Sequence, residues 1–360
     1  MKNILTAIIT AAAVLTACTA EKSPAEDLIS VLQSGVSEGK ILFGQQDAFM
    51  YGHSWRAVEG DSPDRSDVKD VCGKNPAVLG LDLGGIELLS RENLDGNHFG
   101  LMRTAALEQH ARGGVVTLSW HPRNPLTGGD SWDVSSDRVV ASVLEGGGKH
   151  EVFMQWLENC ADYLDTFRDE EGNLIPMIFR PWHEHTGSWF WWGQDLCTTD
   201  EYKALWRLTY RYMTEERGLD NLVWAYSPGA GVDKAGYMER YPGDDMADML
   251  GLDCYQYGEV PASNAVYSAQ LRESLAFMEQ LGKEHGKLIA LTETGLEGLP
   301  YAAWWTEVLY PAIKDYPIAY VLVWRNACDI PGHFYAPWPG QESEADFRKF
   351  SETGKMVFLD

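Results

Sequence analysis

The chain has 360 residues and a formal net charge of −24, enough length for one large domain or two ordinary ones. An apolar fraction of 45% supports a large core. The acidic balance argues against nucleic acid, whose phosphates need Lys and Arg, and against adsorption to an anionic membrane; it permits a neutral substrate, or a surface that only keeps the protein soluble.

The first stretch, MKNILTAIITAAAVLTAC, carries Lys2, an apolar run from Ile4 to Leu15 and then small residues. The run is too short to span a bilayer and reads as a signal peptide over residues 1–17. Leu15-Thr16-Ala17-Cys18 resembles the lipobox of bacterial lipoproteins. That resemblance implies lipid on Cys18, a tether over 18–25, and contact with the outer membrane only through the lipid. The plainer alternative is a cleaved signal with an incidental cysteine. No dense acidic run follows Cys18, so an anchor facing the periplasm is expected. Cys72, Cys160, Cys197, Cys254 and Cys328 remain, an odd number. None forms C-x-x-C and no spacing suits zinc. They read as small buried residues, with one disulfide allowed in an oxidising compartment.

Over residues 26–360, eight apolar runs follow in order: 40–48, 76–85, 113–121, 174–184, 221–229, 248–256, 287–295 and 318–327. Each has the continuous Val/Ile/Leu character of a strand buried on both faces. Helical patterns lie between them. HFGLMRTAALEQHARG ends on Gly113, and EVFMQWLENCADYLDTF repeats its spacing. TDEYKALWRLTYRYMTEE opens on Thr199 and Asp200 as cap candidates. NAVYSAQLRESLAFMEQLGKEHG and AAWWTEVLYPAIKDY complete the set, with a kink expected at Pro311. Strands alternating with helices and no internal break predict an α/β fold, a single-domain (β/α)8 TIM barrel. A doubly wound sheet is the alternative, weakened by the lack of G-x-G-x-x-G or a P-loop.

A barrel gathers its site at the C-terminal ends of its strands. Asp47, Trp120, His121, His183, Glu184, Asp253, Tyr255, Gln256, Glu293, Trp324, Arg325 and Asn326 all fall at such ends. Glu184 closes the fourth run and Glu293 the seventh, so the two face each other across the mouth. Paired carboxyls are the equipment for glycoside hydrolysis. One protonates the departing sugar oxygen; the other supplies charge or a covalent bond at the anomeric carbon. A flat indole packs on the C–H face of a pyranose while polar groups bind its rim. Trp189 and Trp192 beside Glu184, and Trp324 after the eighth run, suit sugar subsites. Trp191 reads as core, as do about half of the 14 tryptophans.

Other chemistries fit less well. His183-Glu184-His185 lacks the H-E-x-x-H spacing of a zinc helix, so no metal is expected. Ser119 and Ser227 have no G-x-S-x-G elbow. Asp82 and Glu87 read as structural hydrogen-bonding residues or loop charges.

The stretch RPWHEHTGSWFWWG (180–193), with SWHPRNP (119–125), GLDCYQ (251–256), TETG (292–295) and VWRNA (323–327), resembles glycoside hydrolase family 26, the β-mannanases. The resemblance covers about residues 26 to 350. It implies the clan A barrel, retention, Glu184 as acid/base and Glu293 as nucleophile, without metal or organic cofactor. It also implies His121 and His183 along the −1 subsite, Tyr255 on the nucleophile, Trp324 under the −1 sugar, Arg325 at −2, and Trp189 and Asp253 on the +1 side. The chain departs from the family at His185-Thr186, where many members have Met-Asn, and this is expected to alter the +1 or +2 side. The implied partner is β-mannan, as mannan, glucomannan, galactomannan or manno-oligosaccharides, bound by a monomer. Mannobiose release is favoured over internal cutting. The alternatives are a mixed-linkage β-glucanase or xylanase of the same family, or a glycan-binding lipoprotein without catalysis, which would not need both carboxylates.

Overall fold

The computed structural model describes residues 22–360. The expected signal peptide, residues 1–17, and Cys18 lie outside the described residues. Eight parallel strands form a closed barrel: β1 (Ile41–Gln46), β2 (Val78–Asp82), β3 (Val115–Trp120), β4 (Met177–Pro181), β5 (Leu222–Tyr226), β6 (Met249–Gln256), β7 (Leu288–Leu296) and β8 (Ile318–Val323). Closure is made by β1 against β8, with Leu42 opposite Tyr320 and Gln45 opposite Val323. A C-terminal strand, β9 (Met356–Leu359), adds to the start of β1.

The uninterrupted apolar character of these runs has a simple cause. Successive side chains alternate between two cores. Leu79, Val116, Phe179, Trp224, Leu250, Leu291 and Val321 point outward to the helices. Val78, Val115, Ile178, Val223, Met249, Leu288, Tyr320 and Leu322 fill the barrel. Space inside is tight: a Cβ on Gly80 would stand 2.1 Å from Gln46 Oε1. Higher in the barrel the inward positions become polar, with Asp82, Ser119, Arg180, Asp253 and Glu293 all buried.

The lower end is sealed by α1 (Pro24–Ser37), whose Leu28 and Leu32 join the interior cluster. Ser23 caps it in a reciprocal box with Glu26, and Pro24 supplies the first turn. The helix therefore begins two residues inside the stretch expected to be tether. Later helices follow the expected segments with local shifts. Phe99–Ala111 and His150–Leu164 match their patterns. Thr198, not Thr199 or Asp200, caps Thr199–Tyr210, again boxed with Glu201. Ahead of Pro311, which has no N–H to give, residues Trp305–Leu309 widen into a π-turn. The five described cysteines are all free thiols: Cys160, Cys197 and Cys254 are buried, and Cys72 and Cys328 are partly so.

Burying Leu32 removes a whole side chain from water, worth about 1.5–3 kcal/mol. Leu32→Ala should lower unfolding free energy by about 2–5 kcal/mol in a urea titration, because the sealed barrel end cannot collapse around the gap.

Candidate active site

The site is organised around Arg180, a charge set inside the barrel by the inward parity of β4. Its Nη1 donates to Asp253 Oδ2 at 2.8 Å and its Nη2 donates to Glu293 Oε1. Asp253 also accepts from Ser227 Oγ at 2.8 Å and Thr292 Oγ1 at 2.7 Å. A bulge makes this possible. Register slips between β6 and β7, so Leu252 faces Leu291 but Asp253 faces Glu293. Thr292 and Glu293, adjacent in sequence, then both bear on the Arg180–Asp253 pair. The second oxygen of Glu293 accepts from Tyr255 OH at 2.6 Å.

Glu184 approaches from the other side, but not on a strand. β4 ends at Pro181, three residues earlier than the apolar run suggests. Trp182 and Glu184 adopt left-handed backbone, with φ of 54° and 53°. Such conformations cost about 1–3 kcal/mol each and persist where surroundings fix them. Here Trp182 is fully buried among Trp120, Trp191 and Trp192. The Glu184 N–H donates to Ser227 O at 2.8 Å, and the Gly187 N–H returns to Glu184 O at 2.9 Å. Asp47, after β1, is left-handed as well.

Carboxylate oxygens of Glu184, Asp253 and Glu293 lie within 4.8 Å of one another. Three such acids could hold a cation; the positive charge placed between Asp253 and Glu293 is the Arg180 guanidinium. Glu184 has no such partner. Burial first, then the charges of Asp253 and Glu293, hold its carboxyl well above the usual carboxylate range, against the pull of Trp189 and Arg180. The two facing acids thus differ: the proton affinity of Glu184 is raised by burial and by the charges of Asp253 and Glu293, and Glu293 is bound to a guanidinium.

A second network reaches the mouth from β2 and β3. Asp82 Oδ2 meets His121 Nδ1 at 2.6 Å, and His121 Nε2 meets His183 Nε2 at 3.0 Å. Burial pulls the His121 pKa down, but the charge and hydrogen bond of Asp82 outweigh it, with a net upward shift. Burial, Arg180 and His121 push His183 well down. His121 therefore bridges Asp82 and His183, one ring nitrogen to each. His121 also borders a cavity of about 220 Å³ shared with Leu94, Arg123 and exposed Trp132. Arg325 borders another of about 400 Å³, with Arg56, Asp95 and Asp329. Its guanidinium pairs with Asp95 at 3.0 Å and donates to Tyr51 OH at 3.1 Å. Tyr51 in turn donates to Asp47 at 2.5 Å, and burial, then Asp95, push the Asp47 carboxyl up to about 8.

The structure corrects several expectations. Trp192 is fully buried, its N–H donated to His183 O at 2.8 Å and its ring stacked on Phe190, so it cannot carry a sugar. Asp253 lies beneath the site with no exposed side chain, held by Arg180. It does not face the +1 side. His183 is 1% exposed, behind His121. His185 packs between Tyr202 and Tyr226, so the departure at this position faces the core. Trp189 stands 46% exposed beside Glu184, and Trp324 is half-buried after β8. Asp82 is the structural hydrogen-bonding residue expected, whereas Arg180 escaped sequence reasoning. The available signal was a charge at an inward position of an apolar strand.

A barrel presenting a buried carboxyl of raised proton affinity after β4 and an arginine-bound one on β7, beneath an aromatic rim, has the architecture of a glycoside hydrolase of the retaining kind. The chain belongs to glycosyl hydrolase family 26, whose family profile matches residues 19–306. It is similar to a family 26 β-mannanase structure from Bacteroides ovatus, at 48% identity and TM-score 0.89, covering 94% of this chain and 96% of that one. A modular endo-β-1,4-mannanase from Cellulomonas fimi superposes with TM-score 0.81 at 34% identity, over 94% and 76% of the two chains. A mannan endo-1,4-β-mannosidase from Bifidobacterium adolescentis is 33% identical over 89% of this chain. The match spans 33% of that relative's own length. A Bacillus subtilis enzyme of the same name is 30% identical over 69% of this chain and 71% of its own.

Replacing Arg180 by Met strands two buried carboxylates, which should cost about 3–5 kcal/mol in a denaturant titration at neutral pH. Burial already pushes the Asp253 carboxyl up to about 7 against the pull of Arg180, and loss of the guanidinium removes that pull and raises it further. The deficit should therefore shrink as pH falls and Asp253 protonates.

Proposed function

We propose that the protein is a β-1,4-mannanase that works by double displacement, with Glu184 as acid/base and Glu293 as nucleophile. One observation carries the reading: the two carboxyls face each other with oxygens within 4.8 Å, one with its proton affinity raised by burial and neighbouring acids and one bound to the Arg180 guanidinium. Retaining enzymes keep their carboxyls roughly 5–5.5 Å apart, whereas inverting enzymes need roughly 6.5–9.5 Å to admit water. Glu184 gives its proton to the leaving oxygen while Glu293 attacks C1. With Glu293 glycosylated and uncharged, the repulsion on Glu184 falls, and Glu184 accepts a proton from water in the second half. Tyr255 and Arg180 hold the nucleophile in line. The names of the relatives support mannan as substrate, and glucomannan and galactomannan carry the same β-1,4-mannosidic bond.

In this reading His121 and the face of Trp324 meet the −1 sugar, Arg325 the −2 sugar, and Trp189 the +1 sugar. The loops around Arg325 are stitched together. Arg56 donates to Asp95 O at 3.1 Å and pairs with Asp329 at 3.4 Å. That supports a short glycone end and release of mannobiose. Export, with lipid on Cys18 and a periplasm-facing anchor, is part of the same proposal and rests on the 1–18 stretch.

Incubation with mannohexaose and galactomannan, followed by chromatography over time, tests the reading. Mannobiose should dominate from the earliest points, and Glu293→Ala should lose several orders of magnitude in rate while staying folded. A ladder of early oligosaccharides would indicate an open groove. Cleavage of lichenan in place of mannan would move the assignment to a mixed-linkage glucanase. The rate should fall on the alkaline side as Glu184 loses its proton.

A further inference from the structure

Trp189 combines two properties that the neighbouring tryptophans do not share. Its ring is 46% exposed, yet its indole N–H donates to Glu184 Oε2 at 2.7 Å. Trp191 and Trp192, buried in the same loop, give their N–H groups to the backbone carbonyls of Pro122 and His183. The indole is held in place by a missing Cβ. Were Gly187 to carry one, it would fall 2.0 Å from Trp189 Cζ3 and 2.1 Å from Cη2. The ring thus lies across the turn that also carries Glu184, whose carbonyl accepts from the Gly187 N–H.

An indole N–H can only donate. Glu184 Oε2 must therefore accept, and because a carbonyl oxygen accepts more strongly than a carboxylic hydroxyl, this bond favours the acid's proton on the other oxygen. The proton of neutral Glu184 then sits preferentially on Oε1. We infer that Trp189 is a positioning residue for both half-reactions: its N–H directs the Glu184 proton to Oε1, and afterwards stabilises the carboxylate that activates water. This inference rests on the glycosidase reading above. In the first half, the Oε1–H bond breaks as the proton passes to the glycosidic oxygen. The C1–O bond breaks with its electron pair leaving on that oxygen, and Glu293 forms a bond to C1. In the second, water gives a proton to Oε1 while its oxygen bonds C1, and Glu293 departs with the electron pair. The exposed face of the same ring remains free for the leaving sugar, so a single side chain would serve leaving-group binding and proton delivery.

The charges facing Glu184 are those of Asp253 and Glu293 on β6 and β7 and Arg180 on β4; the phenols of Tyr255 and Tyr257 face it as well. None is altered by Trp189→Phe, which keeps a ring and removes the donor. The test is kcat and KM over pH for wild type, Trp189→Phe and Trp189→Ala, on mannotetraose and on 2,4-dinitrophenyl β-mannobioside. Trp189→Phe should lose about tenfold or more in kcat on mannotetraose, part of the roughly 10²–10⁴ that acid–base catalysis supplies, with KM changed less than twofold. Its alkaline limb should move to higher pH, because loss of the donor destabilises the Glu184 carboxylate. The rate loss should shrink several-fold when the rate is read as release of dinitrophenolate, a leaving group that needs no protonation. Gly187→Ala, which pushes the ring aside, should reproduce the alkaline shift. An unchanged kcat and pH profile in Trp189→Phe, with Trp189→Ala failing only in KM, would overturn the inference and leave Trp189 as a platform alone. A wild type inactive on both substrates would overturn the glycosidase reading, and this role with it.

Discussion

One guanidinium sets the electrostatics of the barrel mouth. Arg180 is buried where three carboxylates converge, and it reaches two of them. A buried ion pair is not a cheap source of stability, because both charges must leave water. Its value here is asymmetry. Glu293 and Asp253 share the cation, while Glu184 has none and sits in the field of both anions. Two residues of the same type thereby meet opposite electrostatic surroundings a few ångströms apart, as an acid and a nucleophile require.

The remainder of the structure holds that asymmetry in place. Asp253 acts through Arg180, fixed by Ser227 and Thr292. The bulge in β7 turns Glu293 into the barrel next to Thr292. On the opposite side, backbone strain at Trp182 and Glu184 is maintained by a layer of buried indoles under the loop. The aromatic residues in this stretch therefore divide by depth. Trp182, Trp191 and Trp192 keep the turn rigid, and Trp189 meets solvent and the acid. The Asp82–His121–His183 chain fixes the His121 ring at the mouth, where Asp82 raises its proton affinity.

The fold was legible because apolar runs of strand length alternate with helical patterns, and each run proved to be buried on both faces. The facing of Glu184 and Glu293 followed from that order alone. What was not legible has physical reasons. Periodicity does not report left-handed backbone, so the fourth run read three residues past Pro181. Nor does it report depth: Trp189 and Trp192 look equivalent in sequence, and only packing against Phe190 and His183 removes the second from the surface. Asp253 falls at a strand end, where the resemblance implied the +1 side, but inward parity buries it against Arg180. His185 follows the catalytic Glu184 directly, yet the turn points it into a cage of tyrosines.

The division of roles between Glu184 and Glu293 is tested most directly by azide rescue. Glu184→Ala and Glu293→Ala would each be given 2,4-dinitrophenyl β-mannobioside and azide, and the anomer of the glycosyl azide read by NMR. With Glu184 as acid/base, its removal leaves a glycosylated Glu293 that azide attacks from the β face, and β-mannobiosyl azide forms. Removal of Glu293 opens the α face, and α-mannobiosyl azide forms. The two anomers appearing in the opposite variants would contradict the roles that the charge pattern around Arg180 assigns.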